Sequence, residues 1–101
     1  GTVAVWANGN TVFTGTISAT GGPLGGHGGF AEVSGLGGLD YAGLADLSAP
    51  AGQAGTLLLD PNDVEINTVS TIPTASLITP GTITANLATS SVVVQTAPRV
   101  V

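Results

Sequence analysis

Apolar residues in this chain come in short alternating runs divided by glycine, asparagine and proline, which predicts strands and turns. Thr2–Trp6 is a strand with Val3 and Val5 on one face. Asn8-Gly9-Asn10 is a turn, because Asn and Gly tolerate positive φ. Thr11–Phe13 is a second strand, Gly15 a corner, and Thr16–Thr20 a third strand with Ile17 and Ala19 inward. A plain antiparallel hairpin is the alternative for this segment, since Asn-Gly between apolar runs is a hairpin signal.

The same order then returns. Beyond the glycine-rich connector Gly21–Gly29 come a strand at Phe30–Ser34 and a turn at Gly35–Gly38. A strand at Leu39–Tyr41, a corner at Gly43 and a strand at Leu44–Ser48 complete the unit. Beyond the second connector, Pro50–Gly55, Thr56–Asp60 starts it a third time. Phe30 lies 27 residues after Val3, and Gly43 lies 28 after Gly15. Gly26–Phe30 aligns with Gly52–Thr56 at an offset of 26. Three strands per turn, returning at that interval, predict an all-β solenoid: a parallel β-helix with about 27 residues per coil. Phe30 and Thr56 should then sit on adjacent coils, about 4.8 Å apart along the ladder.

The remainder is less regular. Asp60–Asp63 is a tight turn around Pro61, and Val64–Thr68 alternates as a strand. Residues 1–67 are therefore expected to form coils and 68–81, punctuated by Pro73 and Pro80, an irregular loop or insertion. Residues 82–101 should form a further coil, truncated or completed by a neighbouring chain. Within it Thr82–Ala88 reads as a strand or one short helical turn, with Thr82 or Thr84 as cap. Ser91–Thr96 is a β-branched strand that Pro98 interrupts. The last residues, including Val100 and Val101, are strand-like, which predicts a fragment whose neighbours lie outside it.

Composition narrows the function. Sixteen glycines accompany one Trp, one Tyr and two Phe in 101 residues, so large core-filling side chains are scarce. Thin layers of Val, Leu, Ile and Ala suit stacking of like on like. Six acidic residues face one basic residue, Arg99. That deficit argues against nucleic-acid partners, which are held through Lys and Arg, and against anionic membrane surfaces. No apolar run reaches 18 residues, so no membrane-spanning helix is expected. The chain has no cysteine, hence no disulfide scaffold and no thiol chemistry.

Candidate chemistry is thin. His27, the only histidine, has no His or Cys partner for a metal or a catalytic relay, and reads as a polar loop residue. Asp40 and Asp46 follow each other across a corner, and Asp60, Asp63 and Glu65 cluster at one turn. Paired carboxylates of that kind could cleave a polysaccharide. Such sites usually also need Lys, Arg or His and aromatic platforms, and one Arg near the end with few aromatics argues against it; Asp60–Glu65 lacks calcium-loop spacing. The glycine runs lack the Gly-Lys-Ser/Thr of a phosphate cradle. Trp6, Phe13, Phe30 and Tyr41 read as core or corner packing. No catalytic, cofactor-binding or metal residue is assigned, no cofactor is expected, and the chain reads as a non-enzyme.

One resemblance remains. The run Gly28-Gly29-Phe30-Ala31-Glu32-Val33-Ser34-Gly35, then Thr56-Leu57-Leu58-Leu59-Asp60-Pro61-Asn62-Asp63-Val64-Glu65-Ile66, resembles the filamentous-haemagglutinin family of bacterial exoproteins. Ala31 stands where Val is commoner, and Ile83–Thr96 is similar to the element that follows in that family. The resemblance implies a right-handed parallel β-helix, exported by two-partner secretion and exposed at the cell surface on the outer membrane. It implies a shaft segment of an adhesin, serving attachment, biofilm or cell contact. A self-assembling extracellular filament subunit and a polysaccharide-binding or polysaccharide-cleaving β-helix are the alternatives. Expected partners are neighbouring coils of the same or an identical chain, with surface glycans or host matrix proteins beyond them.

Overall fold

The computed structural model describes residues 1–96; the expectations for Pro98, Arg99, Val100 and Val101 lie outside them. Three strands open the chain: β1 (Thr2–Ala7), β2 (Asn10–Phe13) and β3 (Thr16–Ser18). Then come β4 (Phe30–Gly35), β5 (Gly38–Tyr41) and β6 (Leu44–Asp46), followed by β7 (Thr56–Pro61) and β8 (Val64–Ile66). The last elements are β9 (Ser76–Ile78), helix α1 (Pro80–Leu87) and β10 (Ser91–Val94).

All strand pairing within the named sheets is parallel. The largest sheet has the order β1-β4-β7-β10; β2 pairs with β5, β3 with β6 and β8 with β9. Thr2 pairs with Phe30, Phe30 with Thr56, and Thr56 with Ser91, at intervals of 28, 26 and 35 residues. Alternation then sorts the side chains. Val3, Ala31, Leu57 and Val92 share one inward column, and Val5, Val33, Leu59 and Val94 the next. The inner strands are sealed, with Ala31, Val33, Leu57 and Leu59 at most 1% exposed, while Val3, Val5, Val92 and Val94 are only partly covered. Ile17, Leu39, Tyr41, Ala45, Leu47 and Ile78 complete the core.

The connectors require glycine through close approach. A Cβ on Gly28 would lie 1.8 Å from the Leu47 carbonyl oxygen, and one on Gly55 1.9 Å from that of Gly29. The amides reach across instead: Gly28 N–H donates to Gln53 O at 2.8 Å and Gly55 N–H to Leu47 O at 2.7 Å.

These findings correct the expected all-β, right-handed parallel β-helix of about 27 residues per coil. The strands divide into four separate short sheets, and a helix is present. After Pro61 the unit does not repeat. β8 pairs only with β9, and α1 lies where a third strand of the β3–β6 sheet would be. The physical cause is local. Thr79 Oγ1 accepts from Thr82 N–H at 3.2 Å, and Pro80 fits the first helical turn, so a helix starts there.

The radius of gyration is 13.9 Å, close to the roughly 13 Å of a compact chain of this length. The structure is a small domain of short parallel sheets with one helix. It lacks the continuous solenoid implied by the resemblance to filamentous-haemagglutinin shaft repeats. The adhesin shaft, the filament subunit and the polysaccharide-acting β-helix all presuppose that solenoid and are withdrawn with it.

Candidate functional site

The carboxylates singled out in the sequence hold loops. Glu65, 9% exposed, accepts from Thr71 N–H at 2.8 Å, Ile72 N–H at 3.0 Å, Asn67 Nδ2 at 3.3 Å and Thr71 Oγ1. Those donors, the Thr71 hydroxyl foremost, hold its carboxyl down at about 2. Asp46 Oδ1 accepts from Ser48 Oγ at 2.5 Å and Ser48 N–H at 3.1 Å, which lowers its pKa. Asp40 lies on β5 and Asp46 on β6, in different sheets. The Asp63 carbonyl accepts from Ser76 N–H at 3.1 Å. Oδ1 of Asp60 is buried without a hydrogen-bond partner. Among the described residues no three His, Cys, Asp or Glu side chains gather as a metal site.

His27 ties the two connectors together. Its Nδ1 accepts from Gln53 N–H at 3.0 Å. The aromatic residues divide. Phe13 and Tyr41 stack with centroids 5.7 Å apart and planes 6° from parallel. Trp6 and Phe30, expected in core or corners, are instead 61% and 38% exposed. Their strands explain this: with Val3, Val5, Ala31 and Val33 inward, Trp6 and Phe30 must face out. For Trp6 the alternation of Val3 and Val5 is enough to show it, and for Phe30 that of Ala31 and Val33.

Sequence reasoning missed the residue that closes the β6 edge of the β3–β6 sheet. Asn86, 1% exposed on α1, accepts at Oδ1 from Ala45 N–H (2.7 Å) and Tyr41 OH (3.1 Å). Its Nδ2 donates to Gly43 O (3.0 Å) and Thr82 O (2.8 Å). Thr89 Oγ1 and Ser90 Oγ donate to Ala45 O at 2.6 and 3.0 Å. On β5, Leu39 N–H donates to Ser76 Oγ at 2.8 Å. Side chains thus satisfy backbone groups that a further strand would otherwise pair. The signal available was a lone Asn in the apolar run Thr82–Ala88. Burial pushes the Tyr41 hydroxyl up to about 12, with the Asn86 bond opposing.

The opposite edges have no such cover. Among the described residues β1, β2 and β3 each pair on one side only, and so does β10 at the far edge of the largest sheet. Phe30 N–H donates to Gly1 O and Leu36 N–H to Ala7 O, so the odd-numbered positions of β1 turn their backbone toward β4. The amides and carbonyls of Thr2, Ala4 and Trp6 therefore point away from the sheet. β1 spans six residues with no charge and no proline. Such an edge is a template for another strand.

No helix among the described residues is long and apolar enough to cross a membrane. Comparison with protein-family models, curated proteins and solved structures finds no match to this chain, so the filamentous-haemagglutinin resemblance has no support from that side either.

Proposed function

We propose that this chain is a non-catalytic docking module that takes up an extended, uncharged polypeptide segment as an added strand on β1. The observation that supports it is the contrast between the covered edges of β5 and β6 and the outward backbone of β1; β10, at the far edge of the largest sheet, likewise pairs on one side only among the described residues. Asn86, Thr89, Ser90 and Ser76 occupy the backbone groups of β6 and β5, while Thr2, Ala4 and Trp6 present theirs outward. In strand addition, main-chain bonds give affinity and alternate side chains give selectivity. Beside Val3 and Val5 the entering strand must offer small or β-branched apolar residues, since both valines are only partly covered. A polypeptide suits this edge better than a glycan, because the free groups are a ladder of amides and carbonyls. Secretion and cell-surface exposure belong to the same proposal. Without cysteine, folding is independent of the redox state of the compartment.

The test titrates the 101-residue chain against a labelled peptide of residues 1–9, with fluorescence anisotropy as readout and amide exchange at Ala4 and Trp6 alongside. Saturable binding, or slow exchange of those amides in the chain alone, supports strand addition. Absence of binding together with freely exchanging Ala4 and Trp6 amides overturns it.

A further inference from the structure

We propose that the outer face of the largest sheet holds a primary alkylammonium group between Trp6 and Glu32. Register and alternation bring the parts together. Trp6 pairs with Ser34 and Ser34 with Asp60, while Ala4 pairs with Glu32. All five side chains therefore turn to the face opposite the valine columns. Ala4, Val5, Trp6, Glu32 and Ser34 line a hollow of about 240 Å³ there. A strand added beside β1 would cover the edge of the sheet and leave this face turned outward. The site is thus independent of what lies next to β1.

Charge decides what the hollow takes. The described residues include no Lys or Arg, so neither kind of side chain neutralises Glu32 among them. Ser34 Oγ donates to Glu32 Oε2 at 3.2 Å and steadies the carboxylate, which has further lone pairs for a donor. One strand on, Oδ1 of Asp60 is buried with no hydrogen-bond partner, a second acceptor along the same row. Trp6 is 61% exposed, and an indole face attracts cations more strongly than the other aromatic rings. One ring cannot enclose a quaternary ammonium. A primary ammonium uses both walls: its N–H groups donate to Glu32 and its alkyl stem lies along the indole. The formal net charge of −5 favours the approach of a cation and repels anions.

Trp6 is the only tryptophan, so its fluorescence and indole N–H resonance report on the hollow directly. The chain is titrated at constant ionic strength with butylammonium, with a blocked Gly-Lys-Gly tripeptide and with neutral butanol. The Arg99→Gln chain is titrated in the same way, so that the one basic side chain cannot stand in for the ligand. Both ammonium ligands should shift the Trp6 signals saturably, and butanol should not. Glu32→Gln and Trp6→Leu should each weaken binding about threefold or more, the second read from the Glu32 and Ser34 amides. Unchanged Ala31 and Val33 amide resonances establish that the sheet is intact in both. Tighter binding of the tripeptide assigns the ammonium to a lysine side chain of a polypeptide, and equal or weaker binding to a free amine. Equal responses to butanol and butylammonium would reveal an apolar hollow only and overturn the proposal. Saturable binding that Glu32→Gln leaves unchanged overturns it too, as does the absence of a saturable shift in both chains.

Discussion

Asn86 stands against Ala45 as a neighbouring strand would. Its Oδ1 takes the Ala45 amide at 2.7 Å while its Nδ2 reaches the Gly43 carbonyl at 3.0 Å. One side chain thereby supplies a donor and an acceptor to an edge buried beneath α1. Asn86→Ala strands the Ala45 amide, the Gly43 carbonyl and the Tyr41 hydroxyl. It should cost about 3 kcal/mol of stability, measured by urea unfolding. Tyr41→Phe removes one of these bonds and should cost about 1 kcal/mol. A double-mutant cycle of the two should show strong coupling, because they share one network.

Glu65 makes stability depend on acid. Its folded pKa is lowered to about 2 from the ordinary 4.5 by the hydrogen bonds from Thr71, Ile72 and Asn67. The stabilisation is therefore present above the unfolded value and is lost as pH falls from there through the folded value. Glu65→Gln should be less stable than the parent at neutral pH, and the gap should close as pH falls toward 2. Amide exchange at Thr71 and Ile72 should rise over the same window in the parent, and be fast throughout in the variant.

Two glycine substitutions should move stability in opposite directions. At Gly28 the added methyl meets the Leu47 carbonyl oxygen, which is backbone and cannot yield cheaply. Gly28→Ala should cost more than about 2 kcal/mol. Gly81 lies in α1 with nothing within 4 Å of an added Cβ. Gly81→Ala should stabilise by about 0.5–1 kcal/mol through helix propensity. Thermal unfolding of both separates a steric role from a conformational one.

The start of α1 offers a smaller effect. Thr79→Ala removes the acceptor for the Thr82 amide and should cost about 1 kcal/mol, while Thr79→Ser should be nearly neutral. Circular dichroism melts of the three chains give the comparison.

Much of the strand placement was legible because alternation is a strong local signal. Val3 and Val5, or Ala31 and Val33, fix which face of a strand turns inward before any partner is known. Ser76–Ile78 was not legible. It lies between Pro73 and Pro80 in a Ser- and Thr-rich stretch, and its inward positions are Ser76 and Ile78, so a polar residue takes a place that alternation assigns to an apolar one. The end of the repeat was hidden for a related reason. An edge can be closed by a strand or by a few polar side chains, and Asn86, Thr89 and Ser90 carry no period that would announce the second choice.

The spacing of the pairings imposes an order on synthesis. Phe30–Gly35 cannot have both of its neighbours until the chain has been made through Pro61. The backbone of Ala45 stays uncovered until Asn86, Thr89 and Ser90 have emerged, more than forty residues later. A nascent chain therefore carries bare sheet edges through most of its translation. Those bare edges are templates for pairing with other chains, so the interval before Asn86, Thr89 and Ser90 emerge is the one in which this chain is most exposed to aggregation.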